Sequence, residues 1–383
     1  MEEKISASIA QHFGNLTDAR IDRTKLHKLL DIVVIAICAV IAGADSWEDI
    51  AEFGQAKIAW FKKFLELPNG IPSHDTFNRV FARLDAQEFQ DSFMSWMRAV
   101  SEVIGGEVIA IDGKVLRRSH DRGVGQSAIA MVSAWACANR LVLGQVKVED
   151  KSNEITAIPQ LLQALEVSGC IVTIDAIGCQ TEIAKTIIDK GAEYVLSLKE
   201  NQGHLYEDVR LLFDDLEKSQ YHAYAFDYHK TVNKNHGRLE IRECWTISDP
   251  QVLCQLRGFE NWKNLFTVSR VRAQRQAGEE KSCEDRYHIA SISGAKRVLQ
   301  AVRSHWGIEN ELHWTLDIAF DEDRCRVRKD NGAENFAILR HIALNLLKQE
   351  KTCKRGIKGK RLLAAWKDDY LLKVLAGLGL TEN

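Results

Sequence analysis

Val108-Ile109-Ala110-Ile111-Asp112-Gly113-Lys114 sets a short apolar run, the length of a buried strand, directly ahead of an acidic residue. The arrangement returns in Ile171-Val172-Thr173-Ile174-Asp175-Ala176-Ile177-Gly178-Cys179-Gln180. A third acidic residue, Glu309, lies in the helix-like stretch His305-Trp306-Gly307-Ile308-Glu309-Asn310-Glu311-Leu312-His313-Trp314. Carboxylates that close buried strands or ride on a helix, far apart in sequence, can converge to hold two hard divalent cations around a phosphodiester. The chain therefore reads as a DNA-processing enzyme. The competing reading of a lone Asp after an apolar strand is a cap at the start of a turn, which is commoner.

The pattern around these segments gives the organisation. Residues 1–103 read as an all-helical unit: Leu26, Leu29, Leu30, Val33, Val34 and Ile37 recur at helical spacing, and Phe77, Val80, Phe81 and Leu84 line one side of a helix that Ser73 or Asp75 can cap. That helix, with His74, Asn78, Arg79 and Arg83, either packs or faces DNA. Between 107 and 199 the period changes to short apolar or alternating runs. Three strands are followed by helix, strand, helix and strand, the order of an RNase H-like α/β core. Asp112 is expected to close the first strand and Asp175 the fourth, with those strands as neighbours. Residues 200–288 read as a mainly β insertion before the last catalytic helix, so the catalytic domain would span 104–348.

A basic segment occupies 349–383 and begins just ahead of it. Lys348, Lys351, Lys354, Arg355, Lys358, Lys360 and Arg361 are opposed within that span only by Glu350. The segment is either a solvated tail or a phosphate-contact patch.

Composition narrows the class. At 383 residues, 45% hydrophobic and 27% charged, the chain can build more than one globular core. A net charge of -2 leaves nucleic-acid binding to local clusters of Lys and Arg. The nine Cys show no Cys-x-x-Cys pair, which argues against zinc and suits free thiols in a reducing cytoplasm. The N-terminus lacks an export signal, and the run from Ile32 to Ala44 is shorter than the roughly 20 residues that cross a bilayer, so it reads as a buried helix rather than a membrane span.

The chemistry assigns roles. Mg2+ takes oxygen ligands, so Asp and Glu suit it, and Mn2+ can substitute. Asp112 would bridge both ions, with Asp175 and Glu309 holding one each. Lys114, Arg117 and Arg118 could grip the flanking backbone, and Lys199, Asn201 and Gln202 follow a strand where phosphate and base contacts are expected. His305, Glu309 and His313 share a face at four-residue spacing, while at least one of Trp306 and Trp314 reads as a core anchor. Lys151, Ser152, Asn153 and Glu154 form a polar knot, read either as a helix N-cap, with Ser152 or Asn153 capping before Ile155, or as residues that contact DNA or support the ligands of the site.

Several motifs in order give the chain a resemblance to the H-repeat-associated insertion-sequence transposases of the DDE superfamily. They are Ile109 to Lys114, Lys151 to Pro159, Thr173 to Gln180, Leu198 to Gln202, His236 to Arg238 and His305 to Asp317. The resemblance implies a triad of Asp112, Asp175 and Glu309, dependence on Mg2+, and double-stranded DNA with terminal inverted repeats as partner. It further implies a homodimer on DNA and a place in the bacterial cytoplasm on the nucleoid, with no membrane. DNA contacts would fall on Lys114, Arg117, Arg118, Lys199, Asn201, Gln202, His236, Arg238, Arg303, His305 and His313. The related cut-and-paste enzymes carry Tyr, Arg, Glu and Lys around the third carboxylate; here Val302, His305 and Leu316 stand at the other three positions. Ala130 also stands where the family pattern has His. The expected function is cleavage at element ends and strand transfer; the alternative is a catalytically inactive DNA-binding remnant.

Overall fold

The computed structural model describes residues 9–100, 105–120, 127–149, 153–235 and 238–376. Lys151, Ser152 and His236 lie outside them.

Helix α1 (Leu29–Ile41) is apolar around its whole circumference from Ile32 onward, and a helix of that kind must be buried on every side. Ile32 to Ile41 are at most 1% exposed. Helix α2 (Trp47–Ala56) starts with a capping box between Ser46 and Asp49. Ser73 caps α3 (His74–Arg83), which buries Phe77, Val80 and Phe81 as its spacing predicts. Helix α4 (Ala86–Val100) completes the helical region. Among the described residues no helix is long and apolar enough to cross a membrane.

The rest is built on one nine-stranded sheet, ordered β3-β2-β1-β4-β5-β9-β8-β7-β6. Its first strands are β1 (Val108–Val115), β2 (Ala130–Ala136) and β3 (Leu141–Lys147), joined antiparallel. Helix α5 (Glu154–Ala164) leads to β4 (Ile171–Ile174), and α6 (Thr181–Asp189) leads to β5 (Glu193–Leu198). β4 lies parallel to both β1 and β5. One face of this half packs Ile109, Ile111, Val172 and Ile174 against Ile158 and Leu161 of α5 and Ile183 of α6. The other face puts Ala110 and Trp135 in the core that the N-terminal and C-terminal helices share.

The segment from 200 to 288 does not interrupt the sheet. It opens with a helix, α7 (Gly203–Lys218), then lays β6 (Asp227–Asn235), β7 (Arg238–Ile247), β8 (Thr267–Ala277) and β9 (Glu280–Ala290) beside β5 through the β9 pairing. The chain returns as α8 (Ala295–Gly307), a π-helical turn over Ile308–His313, α9 (Trp314–Phe320) and α10 (Gly332–Gln349). α10 packs on α1, so the first and last thirds of the chain share one core.

The basic C-terminal segment is partly consumed by this packing. Helices α11 (Ile357–Trp366) and α12 (Asp368–Leu375) dock on the N-terminal region. Arg361 is buried and donates to the Val40 and Ala44 carbonyls and to Asp45 at 2.9 Å. Lys360 is buried against the Leu347 carbonyl and Glu350. These two cations are therefore internal struts, whereas Lys351, Lys354, Arg355 and Lys358 remain exposed.

Candidate active site

The register of β1 on β4 ends at Ile111 opposite Ile174, so the next residues on the two adjacent strands are Asp112 and Asp175. Asp112 does not close its strand as expected. β1 runs on to Val115 because β2 pairs with it as far as Ala130, while β4 stops at Ile174. On its β4 side the sheet therefore opens at Asp112. Asp175 begins a turn in which its carboxylate accepts the Ile177 N–H at 3.1 Å.

Glu309 comes from the π-helical turn after α8. Single π turns inside helices are uncommon and concentrate at functional sites. The turn keeps Ile308 and Leu312 in the core, continued by Leu316 and Phe320, and leaves Glu309 exposed. Both flanking tryptophans face outward: Trp306 is 39% exposed and Trp314 61%, so neither is a core anchor. Trp306 carries the Arg286 guanidinium over its ring at 4.8 Å.

The carboxylates feel one another. Burial, then the Asp175 carboxylate, push Asp112 up to about 7, with Glu309 and Glu154 adding to the rise and the Gly113 N–H opposing it. His313 Nδ1 stands 3.6 Å from Asp112, and burial holds this imidazole down to about 4, so it is neutral at pH 7. His305 Nδ1 lies 3.0 Å from the Thr173 hydroxyl, and burial lowers its pKa also. Both histidines, expected as phosphate contacts, are part-buried here, with His313 beside Asp112 and His305 beside Thr173 at the edge of the cavity that Asp175 lines.

Lys114 is likewise turned inward. Alternation along β1 puts it on the Asp112 face, where it pairs with Asp317 of α9 and, at 2.9 Å, with Glu322. Glu322 also faces Arg340. Of the expected phosphate grip, Lys114 thus belongs to a buried ion network under the site, centred on Glu322, a residue that nothing in its local sequence sets apart from its acidic neighbours. Asn201 donates to the Ala176 carbonyl at 2.7 Å and Gln202 to the Cys179 carbonyl at 2.9 Å. Their amides pin the loop that carries Asp175, so they are tied to the protein rather than presented to DNA.

Other candidates stay on the surface. Arg117 is exposed with Asp323 at 3.2 Å, Arg118 is exposed, and so are Lys199 and Arg303. Lys199 lines a cavity of about 800 Å³ beside Asp175 and Glu309, walled by Tyr206, Arg286, His288 and Trp306. Arg238 sits at the tip of the ribbon formed by β6 to β9. Leu198 pairs with Tyr287, and β9 extends back from there to Glu280, so the ribbon projects past the carboxyl end of β5, on the Asp175 side. At roughly 3.4 Å per residue, seven residues reach about 24 Å. Lys230, Lys234, Arg238, Arg275 and Lys281 are exposed along it.

Among the described residues no group of three His, Cys, Asp or Glu side chains already stands at metal-ligand spacing. The donor set nevertheless suits a hard divalent cation. It offers carboxylate oxygens, and their mutual repulsion, visible in the raised Asp112, is what a cation would relieve.

Comparison with known proteins gives the family. The family described as "Transposase DDE domain" matches residues 104–346, and the one described as "DDE_Tnp_1-associated" matches residues 10–97. "Putative transposase YncI" of Escherichia coli O157:H7 is 42% identical over 96% of this chain and 94% of its own length. "H repeat-associated putative transposase YhhI" of Escherichia coli K12 is 39% identical over 97% and 99%. A solved piggyBac transposase synaptic complex with hairpin DNA covers 98% of this chain and 77% of its own at 11% identity, with a TM-score of 0.44, too distant to define the fold. By the family match and the full-length relatives together, the chain belongs to the DDE-domain transposases, the H-repeat-associated proteins among them.

Proposed function

We propose that this transposase cleaves DNA at the ends of its element and transfers strands with Asp112, Asp175 and Glu309 as metal-holding carboxylates. The observation that carries the reading is the β1–β4 register, which makes Asp112 and Asp175 neighbours under the π-helical turn of Glu309. The strand order β3-β2-β1-β4-β5, with only β2 antiparallel to its neighbours, supports an RNase H-like core.

Bound Mg2+ or Mn2+ would supply charge to the phosphoryl oxygens and lower the pKa of the attacking hydroxyl. The chain's own residues prepare that step. Asp112, held in a strand continuous with β2, is the fixed donor; Asp175 is set by its Ile177 turn and by the amides of Asn201 and Gln202. Neutral His313 and His305 leave the negative charge of the carboxylates uncancelled, which a cation needs. Lys199, Arg303 and the ribbon cations around Arg238 are exposed where a phosphate backbone entering the site would run, and they would give binding its salt dependence. Double-stranded DNA with the element's terminal repeats is the proposed substrate, with two copies of the chain acting together on it.

The test is cleavage of a labelled duplex bearing the element's own end, with Mg2+ or Mn2+, by the wild type and by Asp112→Ala, Asp175→Ala and Glu309→Ala. Nicking at the end that each substitution abolishes while DNA binding persists is the expected result. End binding without nicking by the wild type would instead make this copy a DNA-binding remnant.

A further inference from the structure

We infer that Glu154 is a fourth carboxylate of this site, reaching the divalent cation from the opposite face of β1 to Glu309. The inference rests on the metal-dependent reading above and adds a ligand that the triad does not contain.

Alternation along β1 sends Ala110, Asp112 and Lys114 to the α8–α9 side and Ile109, Ile111 and Gly113 to the α5 side. At Gly113 that second face has no side chain, and the space is filled by the Glu154 carboxylate. A Cβ on Gly113 would collide with Oε1, Cδ and Oε2 of Glu154. The glycine after Asp112 therefore serves as the gap through which a carboxylate from α5 comes up to the β1 backbone. Gly113 has φ outside the left-handed region, so no backbone strain demands a glycine there.

Glu154 is delivered rigidly. It is the first residue of α5, and the helix is capped by Asn153, whose side chain accepts the Ile155 N–H at 3.1 Å. The cap is Asn153, so Glu154 is free of that duty. Its carboxylate is half-buried and close enough to repel Asp112 and Asp175, and among the described residues no cation forms an ion pair with it. A carboxylate placed among carboxylates, with no cation paired to it among the described residues, is the arrangement a divalent cation completes. A mere helix-terminus charge would have no need of the gap at Gly113.

Mn2+ alone, titrated into the full chain by calorimetry and by melting temperature, separates the possibilities. Glu154→Gln should weaken Mn2+ binding about tenfold or more and raise the melting temperature of the metal-free protein by relieving repulsion. Gly113→Ala, which drives the carboxylate out of its gap, should weaken Mn2+ binding similarly and carries the test if Glu154→Gln does not fold. Wild-type Mn2+ affinity in Glu154→Gln, with a lowered metal-free melting temperature, would overturn the inference and leave Glu154 as a helix-terminus charge. In that case Asp112→Asn still loses Mn2+ and the triad reading stands. Failure of the wild type itself to bind Mn2+ would overturn both.

Discussion

The Lys114 ammonium lies 2.9 Å from the Glu322 carboxylate, a side chain 2% exposed and 208 residues further along the chain. Asp317 and the His313 carbonyl complete the shell around this lysine, so the strand that carries Asp112 is tied to the helix after Glu309. Removing one partner of a buried ion network strands the other. Lys114→Met is therefore expected to cost about 3–5 kcal/mol of stability in denaturant unfolding. The salt dependence of DNA binding, measured on the folded fraction, should not change; a fall of about one in its slope would instead mark Lys114 as a phosphate contact.

Metal binding should follow the protonation of Asp112. Burial and neighbouring carboxylates raise it to about 7, from an ordinary value near 3.9. A carboxyl raised on folding holds its proton more tightly in the native state. Its contribution to stability is complete below about pH 4 and is lost as the pH rises to about 7. A cation must displace that proton. Mn2+ affinity should climb between pH 5 and 7 and level off above, with proton uptake by the buffer near pH 6 and little at pH 8. Calorimetry in two buffers of different ionisation enthalpy reads this directly; a flat profile from pH 5 to 8 would contradict it.

Asn201 and Gln202 should act on the Asp175 loop and not on DNA affinity. Asn201→Ala removes the 2.7 Å bond to the Ala176 carbonyl, and Gln202→Ala the 2.9 Å bond to Cys179. Each should lower stability by about 1 kcal/mol and speed limited proteolysis within residues 175–180. End binding in a gel-shift titration should stay within about twofold of the wild type, and a tenfold loss with no change in proteolysis would reverse the assignment.

Phosphate contacts are expected where cations remain exposed. Arg238→Ala at the ribbon tip and Lys199→Ala beside the cavity should each reduce the slope of log affinity against log salt by about one, with melting temperatures unchanged. Lys360→Ala and Arg361→Ala should do the opposite, lowering the melting temperature and sparing the slope, because those side chains are hydrogen-bonded inside the protein. Equal salt slopes for all four variants and the wild type would remove the ribbon from the binding path.

Local chemistry sufficed for much of this molecule. The short, mainly apolar runs ahead of Asp112 and of Asp175 read as buried strands from residue type alone, and α1, apolar on every side from Ile32 onward, can only be interior. The Ser73 cap and the buried face of α3 follow from side-chain type and helical spacing alone. Periodicity, however, reports a residue's face relative to its own element and says nothing of what lies opposite. It could not show that Lys114 meets Asp317 and Glu322, or that Arg361 is held by Val40 and Asp45 across more than 300 residues. It also assumes regular helix, so the π turn that carries Glu309 was invisible to it. Pairing partners end strands as much as sequence does: β2 prolongs β1 beyond Asp112, and β9 joins the later strands to β5. The carboxylates were legible one by one; their meeting, and the gap at Gly113 that admits Glu154, were decided by register and by packing between distant segments.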